Sequence, residues 1–153
     1  MLKVWLAVLV AMPFSANAQG IDCDAPSSSK QALGTMEALF KAQKERHTQR
    51  FARLQVTVDE KVRSANWSTQ HKAQFFSQLI RTPQFQQLQK DIDDFGLPFN
   101  RALDDVDDIG KAGRFDDPML CRRIVDAMML SNQIDAAADR QVEYMASQVR
   151  AAD

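Results

Sequence analysis

Residues 115–123 read FDDPMLCRR, and this stretch decides how the chain is expected to fold. Either aspartate can cap a helix that begins at Pro118, because a proline at the first helical position loses no hydrogen bond. Cys121 follows in the first turn of that helix, and the only other cysteine, Cys23, lies near the front of the chain. Two cysteines so placed are idle thiols, part of a metal site, or the two ends of one disulfide.

The first 18 residues are expected to form a cleavable signal peptide. Lys3 precedes an uncharged run, residues 4–14, and residues 16–18 (Ala-Asn-Ala) supply the small side chains of a cleavage site. The run is shorter than the roughly 20 apolar residues that span a bilayer. We therefore expect a periplasmic or secreted protein with no stable membrane anchor after cleavage, in which residues 19–153 form one domain.

Export determines the oxidation state that we expect for the two cysteines. Exported chains reach oxidising surroundings, where paired cysteines tend to form disulfides, and Cys23–Cys121 is the one intramolecular bridge that this chain can make. A zinc site needs four ligands, whereas the two cysteines and two histidines show no close spacing. We therefore predict a disulfide, and no metal or other cofactor.

Charge limits the class of partner. Signal removal takes Lys3 away and leaves 18 bases against 20 acids, a net charge of −2. This balance argues against nucleic acid as a partner, since general nucleic-acid binders are strongly basic. Residues 41–63 carry a net charge of +4 and residues 91–117 a net charge of −6. These two oppositely charged segments either attract a charged partner or are solvated faces whose charges partly compensate one another within the bundle.

Hydrophobic periodicity predicts helices, and no segment shows a convincing strand alternation. Between Ser27 and Ala65, apolar residues recur on one side of a long helix. Ser68 and Thr82-Pro83 are expected to start two further helices, the second of which should stop at Gly96 and Pro98. A short amphipathic helix follows, and a long last helix runs from Pro118 almost to the C-terminus. The apolar residues of the first stripe are Leu33, Met36, Phe40, Phe51, Leu54, Val58 and Val62.

The predicted disulfide orders these helices in space. It joins the start of the first helix to the start of the last, so these two must run parallel. Residues 69–95 must then run back between them. We therefore expect an all-α fold, an elongated up-down-up bundle of three long arms with a short extra helix, clasped by one disulfide. The middle arm should be kinked at Pro83.

The first helix carries the candidate site residues. Arg46, Arg50 and Arg53 recur at i, i+4 and i+7, and with Lys61 they are candidates for contact with a partner or an anion. The apolar stripe has a gap between Phe40 and Phe51, where Lys44 and His47 lie. One interpretation is that these two side chains form a polar pocket in the core, with His47 as an acid or base. The other is a hydrogen-bonded core histidine with Lys44 reaching solvent.

No motif names a reaction. The acidic stretch that begins at Asp105 breaks the calcium-loop pattern at Ile109 and at Asp116. Without a recognisable catalytic set, we expect a non-catalytic protein that binds another protein, as an inhibitor, an immunity-type protein or a chaperone. The alternative is a small exported enzyme or binder whose helix arginines and lysine hold an anionic metabolite, in a chorismate-mutase-like arrangement.

Overall fold

A computed structural model describes residues 20–152, and the predicted signal peptide lies outside this range. The described part is all-α, as predicted, with four helices and no strand. None of these helices is both long and apolar enough to cross a membrane. The helices are α1 (Ser28–Ser64), α2 (Thr69–Leu79), α3 (Pro83–Lys111) and α4 (Pro118–Ala151).

Side-chain caps fix the start of the last three helices. Each of these caps accepts a hydrogen bond from a backbone N–H of the first turn, which would otherwise lack a partner. In α3 and α4 a proline follows directly, at the position where its missing N–H costs nothing. The caps, all of which the sequence predicts, are Ser68 for α2, Thr82 for α3 and Asp117 for α4.

The predicted stop at Gly96 and Pro98 is wrong, because α3 continues through both residues to Lys111. The separate short helix that was expected after Pro98 is therefore the second half of α3. An interior proline removes one helical hydrogen bond and costs about 3 kcal/mol. Burial of Ala102 and Ile109 beyond the proline offsets that cost, since burying one large aliphatic side chain contributes about 1.5–3 kcal/mol.

Contacts between α1 and α4 show that these two helices run in the same direction. Gln43 is hydrogen-bonded to Asn132, and Arg46 to Asp135, and both pairs are separated by 89 residues. A constant separation means that one step along α1 matches one equal step along α4. The two helices are therefore parallel and in register.

The α3 helix runs the other way along α4. Thr82 at the start of α3 is within hydrogen-bonding distance of Tyr144. Gln89, two turns further along α3, is bonded to Gln141, which lies earlier in α4. Because α1 and α3 both pack extensively on α4, the last helix is the centre of the fold.

The predicted disulfide is present. Cys23 and Cys121 are joined by an S–S bond of 2.08 Å, with their Cα atoms 5.5 Å apart. This bond holds the segment before α1 against the first turn of α4. Around it lies the larger of the two hydrophobic clusters that the described residues form, which we call the clasp cluster. Its buried members are Ala32, Leu39, Ile109, Leu120, Cys121, Ile124 and Met128.

A second cluster lies at the opposite end of the α1–α4 pair, and we call it the far cluster. Phe75 and Phe76 of α2 pack against it, so α2 covers the end of the bundle that lacks the disulfide. Trp67, in the connection between α1 and α2, is buried and lies 5.0 Å from the ring of Phe75. The buried members of the far cluster are Leu54, Val58, Val142, Ala146 and Val149.

Candidate functional site

Between the two clusters, α1 and α4 meet through polar side chains. This polar seam consists of three residues of α1 and four of α4 that contact one another across the helix pair. It occupies the middle of an interface that is apolar at both ends. The seam residues are Gln43, Arg46 and Arg50 of α1, with Ser131, Asn132, Asp135 and Asp139 of α4.

The seam follows the spacing of a parallel coiled coil. Positions of α4 that face α1, both in the seam and in the two clusters, alternate in steps of three and four residues, which is the heptad spacing that keeps one face of a helix against its partner. In α1 the same spacing runs from Ala32 through Gln43 and Arg46 to Arg50. Polar layers inside such an interface fix the register of the two helices. The α4 positions are Cys121, Val125, Met128, Asn132, Asp135, Asp139, Val142, Ala146 and Val149.

Arg50 is the most buried charged residue of the seam, with 4% of its side chain exposed. Its Nη2 donates to Asp135 Oδ1 at 2.9 Å. Its Nε lies 2.5 Å from Asp139 Oδ1, but without the alignment of a hydrogen bond. Its Nη1 is buried and has no hydrogen-bond partner among the described residues. Burial of this guanidinium therefore depends on the two aspartates.

Asp135 is shared by two arginines. Arg46 donates to its Oδ2 from Nε at 3.1 Å and from Nη2 at 2.9 Å, while Arg50 binds its other oxygen. The side chain of Asp135 is 15% exposed and that of Arg46 is 44% exposed. This carboxylate thus links the solvent-facing and the buried arginine of the seam.

An amide layer precedes the charged layers. Gln43 donates from Nε2 to Asn132 Oδ1 at 3.1 Å, and its Oε1 accepts from the Ser131 hydroxyl. Each polar group of α1 in this layer therefore finds a partner on α4, which is what a polar group inside an interface requires.

The structure divides the four predicted contact residues. Arg46 and Arg50 point at α4 and are neutralised there, so they do not form an open basic ridge. Arg53 is exposed, Lys61 is half-buried, and neither makes an ion pair with another described residue. Asp135 and Asp139, the partners of Arg46 and Arg50, were not predicted from the sequence. The signal for them was a pair of acids four residues apart, the same spacing as the arginine pair.

The structure contradicts both interpretations of Lys44 and His47, the polar pocket in the core and the hydrogen-bonded core histidine. Lys44 and His47 are both exposed. The ring of His47 lies 4.7 Å from that of Phe51, which is itself 45% exposed. Because the seam takes positions 43, 46 and 50, the apolar stripe inferred from the sequence is rotated away from α4 in the middle of α1.

The two charged segments are balanced through α4 rather than by contact with each other. Asp135 and Asp139 face the basic segment of α1. Elsewhere on α4, Arg123 lies 3.0 Å from Asp105 of α3 and Arg140 lies 3.8 Å from Asp91. The last helix therefore carries the counter-charges for both of its neighbours.

Two lysines of α3 have raised pKa values. Hydrogen bonds to Asp94 and to Asp107 hold the pKa values of Lys90 and Lys111, respectively, above the usual value of 10.5. Both lysines are on the solvent-exposed surface of α3. A raised lysine pKa favours the fold only while the lysine is charged, so this effect is constant at neutral pH and is lost above pH 10.5.

Two of the clefts in the described part of the chain lie along α4. The arginine cleft, of about 340 Å³, lies between α1 and α4 beside the far cluster. Arg50, Arg53 and Arg150 line it together with Asp139 and Glu143. Its apolar lining comes from Leu54, Val142 and Ala146.

The second, which we call the apolar cleft, has a volume of about 500 Å³ and lies between α3 and α4. Its apolar lining is Pro98, Ala102, Met129 and Leu130, and Met129 is 49% exposed. Its charged lining residues are Arg101, Asp105, Arg123 and Asp126.

Residues 20–152 contain no group of three or more His, Cys, Asp or Glu side chains that could hold a metal ion. The acidic stretch from Asp105 to Gly110 is helical, so it does not form a calcium loop. Comparison with protein-family models, with curated proteins and with solved structures gave no match for this chain.

Proposed function

We propose that this chain is an exported, non-catalytic helical protein that binds another protein, in an inhibitor, immunity-type or chaperone role. Export is supported by the signal-like start of the sequence and by the disulfide, since such bonds persist in oxidising compartments. The observation that carries protein binding is the apolar cleft, in which Met129 remains half exposed within a charged rim.

The chemistry of this cleft suits a protein partner. Pro98 offers no backbone donor and Ala102 has a small apolar side chain, so the lining between α3 and α4 is apolar at these two positions. Methionine adapts its shape to different contacts and is common at binding surfaces. Exposed apolar surface rimmed by polar residues is typical of protein–protein contacts. We expect a large apolar side chain of the partner to contact Met129.

The rim adds a preference for charge. Arg123 lies 3.0 Å from Asp105 and 3.5 Å from Asp126, so its charge is already paired with carboxylates of this chain. Arg101 is exposed and makes no ion pair with a described residue. The partner segment is therefore expected to place a carboxylate near Arg101, beside its apolar side chain.

The test is recovery of a partner from the exported compartment with the mature chain and two variants. Met129→Glu places a charge in the apolar cleft. Val56→Glu is the matched control, because Val56 is 55% exposed on α1 and lies outside the cleft. We expect one equimolar protein that survives moderate salt, is lost with Met129→Glu and is retained with Val56→Glu. Equal recovery by both variants, or no equimolar protein, would reject the proposal.

A small anionic metabolite is the second candidate, and the arginine cleft favours it. Three guanidinium groups line that cleft, and Arg50 has two nitrogens, Nε and Nη1, without a hydrogen bond. Against it, Asp139 and Glu143 line the same cleft, and Arg150 is already paired with Glu143 at 2.7 Å. Lys61 is not among the lining residues.

Titration with citrate and with inorganic phosphate, followed by NMR, separates this candidate from the first. Saturable shifts of the amides around Arg53 and Glu143, lost in Arg53→Gln, would support an anion site. Shifts that do not saturate, or that persist in Arg53→Gln, would remove it.

A further inference from the structure

The α1–α4 pair is held covalently at one end only. The Cys23–Cys121 bond lies beside the clasp cluster. At the other end, the far cluster consists of side-chain contacts alone, and the arginine cleft opens between the two helices there. The two halves of the same interface are therefore secured differently.

Packing has the same asymmetry. Of the largest side chains with less than 2% exposure, Leu120, Ile124, Met128 and Cys121 belong to the clasp cluster, and Val149 alone belongs to the far cluster. Side chains that are not fully buried lose less on exposure to water. Separation of α1 from α4 is consequently less costly in the far half.

The polar seam lies between these halves, at the place where a hinge would act. Its last charged layer pairs Arg50 with Asp139, whose side chain is 58% exposed and thus open to screening by salt. Nη1 of Arg50 lacks a hydrogen bond in the closed pair and would gain water on opening. Both features favour opening next to the far cluster.

We propose that the far halves of α1 and α4 separate while the disulfide and the clasp cluster hold the near halves together, with the polar seam as the hinge. Phe75 and Phe76 of α2 pack against the far cluster, so this helix is displaced when the cluster opens. Opening exposes the apolar faces around Leu54 and Val142. This motion is independent of the proposed partner and of the apolar cleft.

Hydrogen exchange of the oxidised chain, read by mass spectrometry, tests the proposal. Amides of residues 54–58 and 142–146 lie more than one turn from a helix end, so fraying does not affect them. We expect them to exchange about tenfold faster than amides of residues 36–40 and 124–128, because a helix that loses its tertiary packing also opens its own hydrogen bonds more often. Added NaCl should speed exchange in the far half and leave the clasp half unchanged.

A double variant tests whether the last charged layer of the seam favours the opening. Arg50→Leu combined with Asp139→Leu replaces the last charged layer with apolar side chains and should slow exchange in the far half. Lys90→Leu with Asp94→Leu, an exposed pair on α3, is the control and should change nothing there. Equal exchange in both halves of the wild type, or a far half that does not respond to salt, would overturn the hinge even if the double variant failed to fold.

Discussion

Arg50 donates a hydrogen bond of 2.9 Å to Asp135 across the α1–α4 interface, with 4% of the arginine side chain exposed. The contact joins residues 85 positions apart in the sequence. A buried guanidinium needs a nearby carboxylate, because an unpaired charge inside a protein is strongly destabilising. This pair therefore holds α1 at one height along α4.

Removal of the shared carboxylate should destabilise the fold. Asp135→Ala leaves Arg50 buried with Asp139 alone, and we expect a loss of about 3 kcal/mol, the range for breaking a buried ion pair. Urea unfolding of the oxidised protein measures the change. Asp94→Ala, which breaks an exposed pair on α3, is the control and should have no measurable effect. Equal losses in both variants would contradict a structural role of the seam.

Replacing both seam arginines with acids should destabilise the fold, and replacing their two aspartate partners with arginines as well should restore stability. Arg46→Asp with Arg50→Asp sets four acids against one another and should prevent folding, since like charges inside an interface repel. Addition of Asp135→Arg and Asp139→Arg re-creates opposite charges in the same layers. Circular dichroism melts should show recovery of a cooperative transition. Failure of the fourfold variant to recover any stability would argue against register selection by charge.

Loss of the disulfide should weaken the whole domain. The bond closes a loop with a sequence separation of 98 residues, for which the chain-entropy model gives up to about 4.7 kcal/mol. We expect a loss of about 2–4 kcal/mol for the reduced protein in urea unfolding. Peptide mapping without reductant provides the control for the bond itself. An unlinked pair, or unfolding that does not respond to reductant, would contradict the clasp.

Pro98 tests the continuity of α3. If the helix runs through this position, Pro98→Ala supplies a missing hydrogen bond and should stabilise the protein by about 1–3 kcal/mol. Pro83→Ala is the matched control, because Pro83 occupies the first helical position and no bond is missing there. Thermal unfolding measures both. A Pro98 variant that behaves like the Pro83 variant would indicate that the helix ends before residue 98.

Local chemistry predicted much of the fold. The three side-chain caps, the all-α class and the disulfide follow from signals that span a few residues, or from the fact that only two cysteines exist. The end of α3 did not follow. Gly96 and Pro98 favour the end of a helix by local propensity. Burial of α3 residues such as Ile109 against α4 outweighs that propensity.

The seam was beyond the reach of an apolar pattern. A periodicity search places Phe51 on the buried side of α1, but the interface takes Arg50 instead. The choice depends on Asp135, a partner on another helix 85 residues away. The disulfide predicts that α1 and α4 run parallel. A search of these two helices for an arginine pair and an aspartate pair with equal spacing would then have found the seam.

The central claim is that buried charge pairs fix α1 against α4, and a double-mutant cycle between Arg50 and Asp135 tests it most directly. Urea unfolding of Arg50→Ala, Asp135→Ala and the double variant gives their coupling energy. We predict a favourable coupling of about 1–3 kcal/mol, as for residues in direct contact. Additive losses, with no coupling between the two positions, would contradict the account.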